Sequence, residues 1–166
     1  TYTPLSDPNS KWTLVLMTRA EIGLLGSYNK YLKSPFETFY VGGDGMSGSY
    51  GYAQETIALR GYDNGVFTPW RSGDGYAYTR FTAELHFPFM LQPSTTIYGL
   101  AFLEGGNAWT DVKDVSPFNL KRSAGAGVRI YLPMIGMMGI DWAYGFDKVF
   151  GEKGGSHFHF ILGQEF

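Results

Sequence analysis

Cysteine is absent from this 166-residue chain, and both charge and long apolar runs are scarce. The first absence excludes disulfide frameworks, thiolate metal sites and Cys nucleophiles. Charged residues make up 17% of the chain, against about 25% in an ordinary soluble domain. The formal net charge is −2, so nothing suggests a polyanion-binding surface, and nucleic acid is not an expected partner. No stretch approaches the roughly 18 uninterrupted apolar residues of a spanning helix. That leaves strands as a means of crossing a membrane, since they alternate and give a weaker signal per segment. The chain starts at Thr1 with neither an initiator Met nor a signal peptide, which leads to the expectation of a processed product or a piece of something longer.

What is plentiful is aromatic and small. Aromatics reach 17%, with 12 Tyr and 13 Phe, and there are 23 Gly. Aromatics favour strands, while Gly marks turns, bulges and close packing. The length suits one domain, 1–166.

The informative period is two. In 136–146, Met138, Ile140, Trp142, Tyr144 and Phe146 share one face, opposite Met137, Gly139, Asp141, Ala143 and Gly145. In 77–89, Ala77, Thr79, Phe81, Ala83, Leu85, Phe87 and Phe89 oppose Tyr78, Arg80, Thr82, Glu84 and His86. Segment 121–132 sets Ala124, Ala126, Val128, Ile130 and Leu132 against Ser123, Gly125, Gly127 and Arg129. Near the start, Leu14 to Leu24 alternates against Thr13 to Gly23. The last segment sets Phe158, Phe160 and Leu162 against His157, His159, Ile161 and Gly163. Only 95–104 alternates poorly. These segments predict about six antiparallel strands, several near the 9–11 residues that cross a bilayer when tilted. Tight connections are expected at Met90–Ser94, Pro133–Gly136 and Gly151–Gly155. Residues 42–76 form a long Gly/Ser/Tyr/Asp-rich stretch with little periodicity, and a connection of that length is usually functional or disordered.

Alternation fits any half-buried sheet, and a soluble ligand-binding barrel carries its charged face outward. Three features favour the reverse sense of a membrane barrel. The polar faces hold Gly, Ser and Thr with isolated charges, Trp12, Trp109, Tyr131 and Tyr144 sit near strand ends as in interfacial girdles, and the chain ends in a strand at Phe166.

Specific residues go further. Phe39-Tyr40-Val41-Gly42-Gly43 is followed by Leu59-Arg60-Gly61-Tyr62, then by Ala83-Glu84-Leu85-His86-Phe87-Pro88, Ala101–Trp109, Ser123–Arg129 and Pro133–Gly136. In this order they resemble the BamA family of outer-membrane assembly and translocation barrels, over about residues 12–166. The resemblance implies an antiparallel transmembrane β-barrel of sixteen strands, of which this chain would hold the last six and a loop that folds into the lumen. It implies that Arg60, at the tip of that loop, pairs with wall acids at Glu84 and Glu104. Glu104 stands where the family has Asp, and Gly45–Tyr52 is an unusual insertion. Phe158, Phe160, Leu162, Gly163 and Phe166 resemble the C-terminal assembly signal and would form a seam strand. The implied partners are the lipid bilayer, unfolded outer-membrane protein substrates, the remaining strands and periplasmic domains, and accessory lipoproteins. The implied location is the bacterial outer membrane. A polypeptide-secreting relative or a passive pore are the alternatives within the family.

Enzymatic chemistry is not expected. His157, His159 and His86 could suggest metal, and Glu21, Glu84 and Asp141 paired carboxylates, but polar wall residues explain both sets. Gly42-Gly43-Asp44-Gly45 lacks the strand–helix setting of a phosphate loop, and no Gly-x-Ser-x-Gly elbow occurs. Catalytic residues, metal and cofactors are each expected to be none.

Overall fold

The computed structural model describes residues 2–4, 14–26, 38–45, 55–68, 75–92, 95–134, 136–149 and 154–163. Its strands are β1 (Tyr2–Pro4), β2 (Val15–Leu24), β3 (Phe39–Val41), β4 (Glu55–Ile57), β5 (Ala77–Gln92), β6 (Thr95–Trp109), β7 (Lys121–Leu132), β8 (Gly136–Gly145) and β9 (Ser156–Leu162). Seven of them form one sheet in the order β1-β2-β5-β6-β7-β8-β9, every neighbour antiparallel. The six longer strands match the six segments expected from the sequence, of which the one at 95–104 alternates poorly. The seventh, β1, is too short for a periodic signal. Among the described residues β1 and β9 do not pair with each other, so the sheet is an open, incomplete transmembrane barrel.

The sense of the sheet is that of a membrane protein. Phe158, Phe160 and Leu162 are 69%, 63% and 62% exposed, and Ile22, Leu103, Ile140 and Trp142 are exposed as well. On the opposite face, Glu84, Glu104, Arg129 and Asp141 are buried, Arg129 and Asp141 completely. A soluble barrel would show the reverse. The lipid-facing role of β9 has a direct test. Phe160→Arg is expected to destabilise the barrel in lipid vesicles by about 2–4 kcal/mol near the midplane and less toward the interfaces, whereas Phe160→Leu leaves it nearly unchanged. Equal unfolding midpoints for the two variants would place that face elsewhere.

Three connections differ from expectation. β5 and β6 are 16 and 15 residues long, so Met90–Gln92 belong to the strand rather than the turn. An irregularity between Pro88 and Met90 bends this hairpin, because Pro88 has no amide proton to keep the ladder regular. Only residues 93–94 lie between the two strands. The β8–β9 connection spans 146–155, longer than the tight turn expected at Gly151–Gly155, of which 151–153 lie outside the described residues. The stretch 42–76 is not periodic overall, but β4 within it pairs in parallel with β3, which lies just ahead of it. Strands of three residues are too short to show alternation. Residues 46–52 of the insertion, Trp12 and Phe166 lie outside the described residues.

Segment 95–104 alternates poorly because the inner face of β6 carries Leu100 and Phe102 beside Glu104, all three buried. Apolar groups therefore lie on both faces of one strand. What Phe102 packs against defines the site.

Candidate functional site

The two halves of the loop motif bind each other. Gly43 and Leu59 exchange backbone hydrogen bonds (3.1 and 3.2 Å), and the Gly42 amide donates to the Ile57 carbonyl at 3.0 Å. Phe39, Val41, Ile57, Leu59, Tyr62 and Phe67 then form an apolar core with Tyr78 of β5 and Val149. Phe39 meets Tyr78 edge-on at 4.6 Å, and Tyr62 meets Phe67 at 5.1 Å. The core fastens the loop to the inner face of the sheet and aims residues 60–62 across it.

Arg60 is 2% exposed. Its amide donates to Glu104 Oε2 at 2.9 Å, and its Nε to Glu104 Oε1 at 3.0 Å. Nη1 donates to Asp141 Oδ2 at 2.8 Å, while Nη2 bonds Glu84 and Glu104 Oε1. The guanidinium carbon lies 3.6 Å from the centre of the Phe102 ring. One side chain thus joins β5, β6 and β8, which a planar fork of donors permits and an ammonium does not. Burial alone would lower the Arg60 pKa, but Glu104, Glu84 and Asp141 outweigh it and hold it well above the ordinary value.

Glu84 and Glu104 therefore both meet Arg60, and the longer reach of Glu104 lets one carboxylate take the backbone amide and the side chain together. Sequence reasoning missed the other members. Asp141, read only as wall polarity, is a third acid, and it also accepts from Arg129 Nη2 at 2.8 Å. Arg80 Nη2 donates to Glu104 at 3.2 Å and Arg80 Nη1 to Glu21 at 3.4 Å. His86 Nε2 lies 2.9 Å from Glu84 Oε2. Glycines make room for the cluster. Arg129 stands opposite Gly139 and Asp141 opposite Gly127 in the ladder. A Cβ on Gly127 would lie 1.7 Å from Asp141 Oδ1, and one on Gly139 would lie 2.6 Å from Arg129 Cδ. Each long charged side chain lies across the bare backbone of its neighbour, a pairing visible only once the register is known.

The rest of the motif is tied down too. The Gly61 amide donates to His159 Nε2 of β9 at 3.1 Å. Tyr62 Oη donates to the Arg122 carbonyl at 2.7 Å and accepts from the Asp147 amide at 3.3 Å. Burial raises the Tyr62 pKa, and the hydrogen bond from Arg122 holds the Asp147 carboxyl below its ordinary value. Gly163 follows β9 at φ +114° and its amide donates to the Met137 carbonyl at 2.9 Å. Among the described residues no group of three His, Asp or Glu is arranged to hold a metal. The arrangement suits a lock that ties the loop tip to the wall.

A sequence model of the Omp85 superfamily domain matches residues 1–166. No curated protein matches the chain. With the match covering the whole length, the open membrane sheet and the loop fastened inside it, the chain belongs to the Omp85 superfamily, a family of outer-membrane protein assembly and translocation barrels.

Proposed function

We propose that this chain is the C-terminal part of a BamA-like barrel that folds and inserts other proteins into a bacterial outer membrane. The observation that supports the reading is the loop packed on the inner face and held by Arg60 to three strands, which would stand in the way of a wide channel through the lumen. The working surface is then the edge of the sheet. Unpaired backbone groups in lipid cost several kcal/mol each, and membrane barrels begin at about eight strands. The missing strands of the full-length protein therefore close on β9 to form a seam, and an incoming substrate strand adds there by β-augmentation. Shortened lipid-facing girdles beside the seam would thin the bilayer locally. The partners are then lipid, unfolded outer-membrane proteins, the preceding strands and periplasmic domains, and accessory lipoproteins.

The test is a disulfide between β9 and the strand that closes on it, in the full-length protein in cells. This chain has no cysteine to interfere. Assembly of outer-membrane proteins is expected to stop when the seam is locked and to resume on reduction. Undiminished assembly through a locked seam sinks the reading.

A further inference from the structure

We infer that His159 is a proton-sensitive catch that couples the loop tip to the terminal strand, holding both while its ring is neutral and releasing both when it is protonated. The inference rests on the reading of β9 as the movable edge of a seam.

Arg60 fastens to β5, β6 and β8, and Tyr62 to the carbonyl of Arg122 and the amide of Asp147. Among the described residues, the hydrogen bond joining the Arg60-Gly61-Tyr62 tip to β9 is the one from the Gly61 amide to His159 Nε2. Both partners are buried, and His159 is 6% exposed. One residue beyond the tip, Asp63 Oδ1 lies 3.5 Å from His157 Nδ1. The rings of His157 and His159 stack with centres 6.1 Å apart. Their spacing of two residues puts both on the inner face of β9. Among the described residues β9 has a single ladder neighbour, β8, and these inner contacts tie it to the loop.

The direction of the bond sets the protonation state. A backbone N–H only donates, so Nε2 must offer a lone pair, and the ring is neutral with its proton on Nδ1. An imidazolium carries N–H on both nitrogens. Protonation would set a donor against the Gly61 donor, and the bond would become a repulsion. Histidine changes charge between about pH 5 and 8. The charged groups around it are Asp141, opposite it on β8, Arg60, Asp44 and Asp63 from the loop, and His157 on its own strand. Burial is the largest influence and opposes a cation there; Asp44 and Asp141 favour one, but Asp141 is already bonded to Arg60 and Arg129. Arg60 and His157 oppose it. By linkage, displacement of β9 frees the tip and release of the tip loosens β9, with equal coupling in both directions.

The test uses the full-length protein in lipid vesicles. Hydrogen exchange is followed in the 59–62 segment and in Ser156–Leu162 at pH 8 and pH 5.5, corrected for intrinsic rates. His159→Leu removes the acceptor, and His159→Gln keeps a side-chain oxygen that does not titrate. At pH 8, His159→Leu is expected to raise exchange in both segments by about tenfold, the worth of one buried hydrogen bond, with His159→Gln close to the native protein. At pH 5.5 the native protein should behave like His159→Leu, while His159→Gln stays protected. Faster exchange in the loop alone, or equal acid responses in native and His159→Gln proteins, overturns the catch. If His159→Leu does not fold, the comparison of native protein with His159→Gln decides alone. The measurement needs no substrate. A locked seam that permits assembly refutes the assembly reading and leaves this result standing, while uncoupled exchange in a protein whose assembly needs an open seam refutes only the catch.

Discussion

Arg60→Ala is expected to destabilise the barrel by about 3–5 kcal/mol, the usual penalty for removing one partner of a buried ion cluster. The magnitude follows from what stays behind. Glu104 loses a guanidinium that bonds it through Nε and Nη2, Glu84 keeps His86, and Asp141 keeps Arg129. Glu104 retains the residue-60 amide at 2.9 Å, Arg80 at 3.2 Å and Thr82 Oγ1 at 3.5 Å, but loses both guanidinium contacts. Desolvated carboxylates without a counter-charge are among the most expensive groups a fold contains. Arg60→Lys keeps the charge but not the fork, and an ammonium cannot reach three strands at once, so it should recover only part of the loss. Arg60→Ala combined with Glu104→Gln should be less damaging than the sum of the two single changes, because neutralising the acid removes much of the penalty that the missing arginine creates. Unfolding of the full-length barrel in detergent and protease cleavage of the loop report the two consequences. Stability and protection equal to the native protein would mean that the cluster is not what holds the loop.

Gly61→Ala is the second large effect, and it acts through backbone and space rather than charge. Gly61 has φ +89°, a region that costs an L-residue roughly 1–2 kcal/mol. Its Cβ would also lie 2.9 Å from Ser123 Cβ, 3.0 Å from the Gly145 nitrogen and 3.0 Å from the Tyr144 carbonyl carbon. Two of those atoms are backbone of the β8 wall and cannot turn aside. Overpacking of this kind adds about 1–3 kcal/mol. The expected total is about 2–5 kcal/mol, with the tip displaced and the Gly61–His159 bond lost. Gly136→Ala is the control. Gly136 has φ +95°, yet a Cβ there meets nothing within 4 Å, so the conformational cost stands alone at about 1–2 kcal/mol. Thermal unfolding of the two variants side by side separates the terms, and equal losses would show that the tip does not press against the wall.

Much of the fold was legible in the residues because strand formation is local. Period-two alternation located five of the six long strands of the sheet, and the residue types on each face pointed to its outward-apolar sense. The order of the short motifs pointed to assembly and translocation barrels, and Arg60 with Glu84 and Glu104 stood out through that resemblance alone. β6 escaped the rule because Phe102 turns inward to lie against Arg60, a contact that period-two reading has no means of anticipating. β1, β3 and β4 escaped it by being three residues long.

The sequence by itself determined, for five of the six long strands, which residues share a face. Only the tertiary structure decided which interior groups meet. Asp141 lies 81 residues from Arg60 along the chain, and His159 lies 98 from Gly61. Both pairs exist because strand register and the curvature of the sheet bring distant inner faces onto one loop tip. The glycines opposite Arg129 and Asp141 follow the same logic. As residues they announce only flexibility, and once register sets them beside long charged side chains they become the space in which the lock is built. Alternation is a property of neighbours in the chain, whereas a buried charge cluster is a property of neighbours in space.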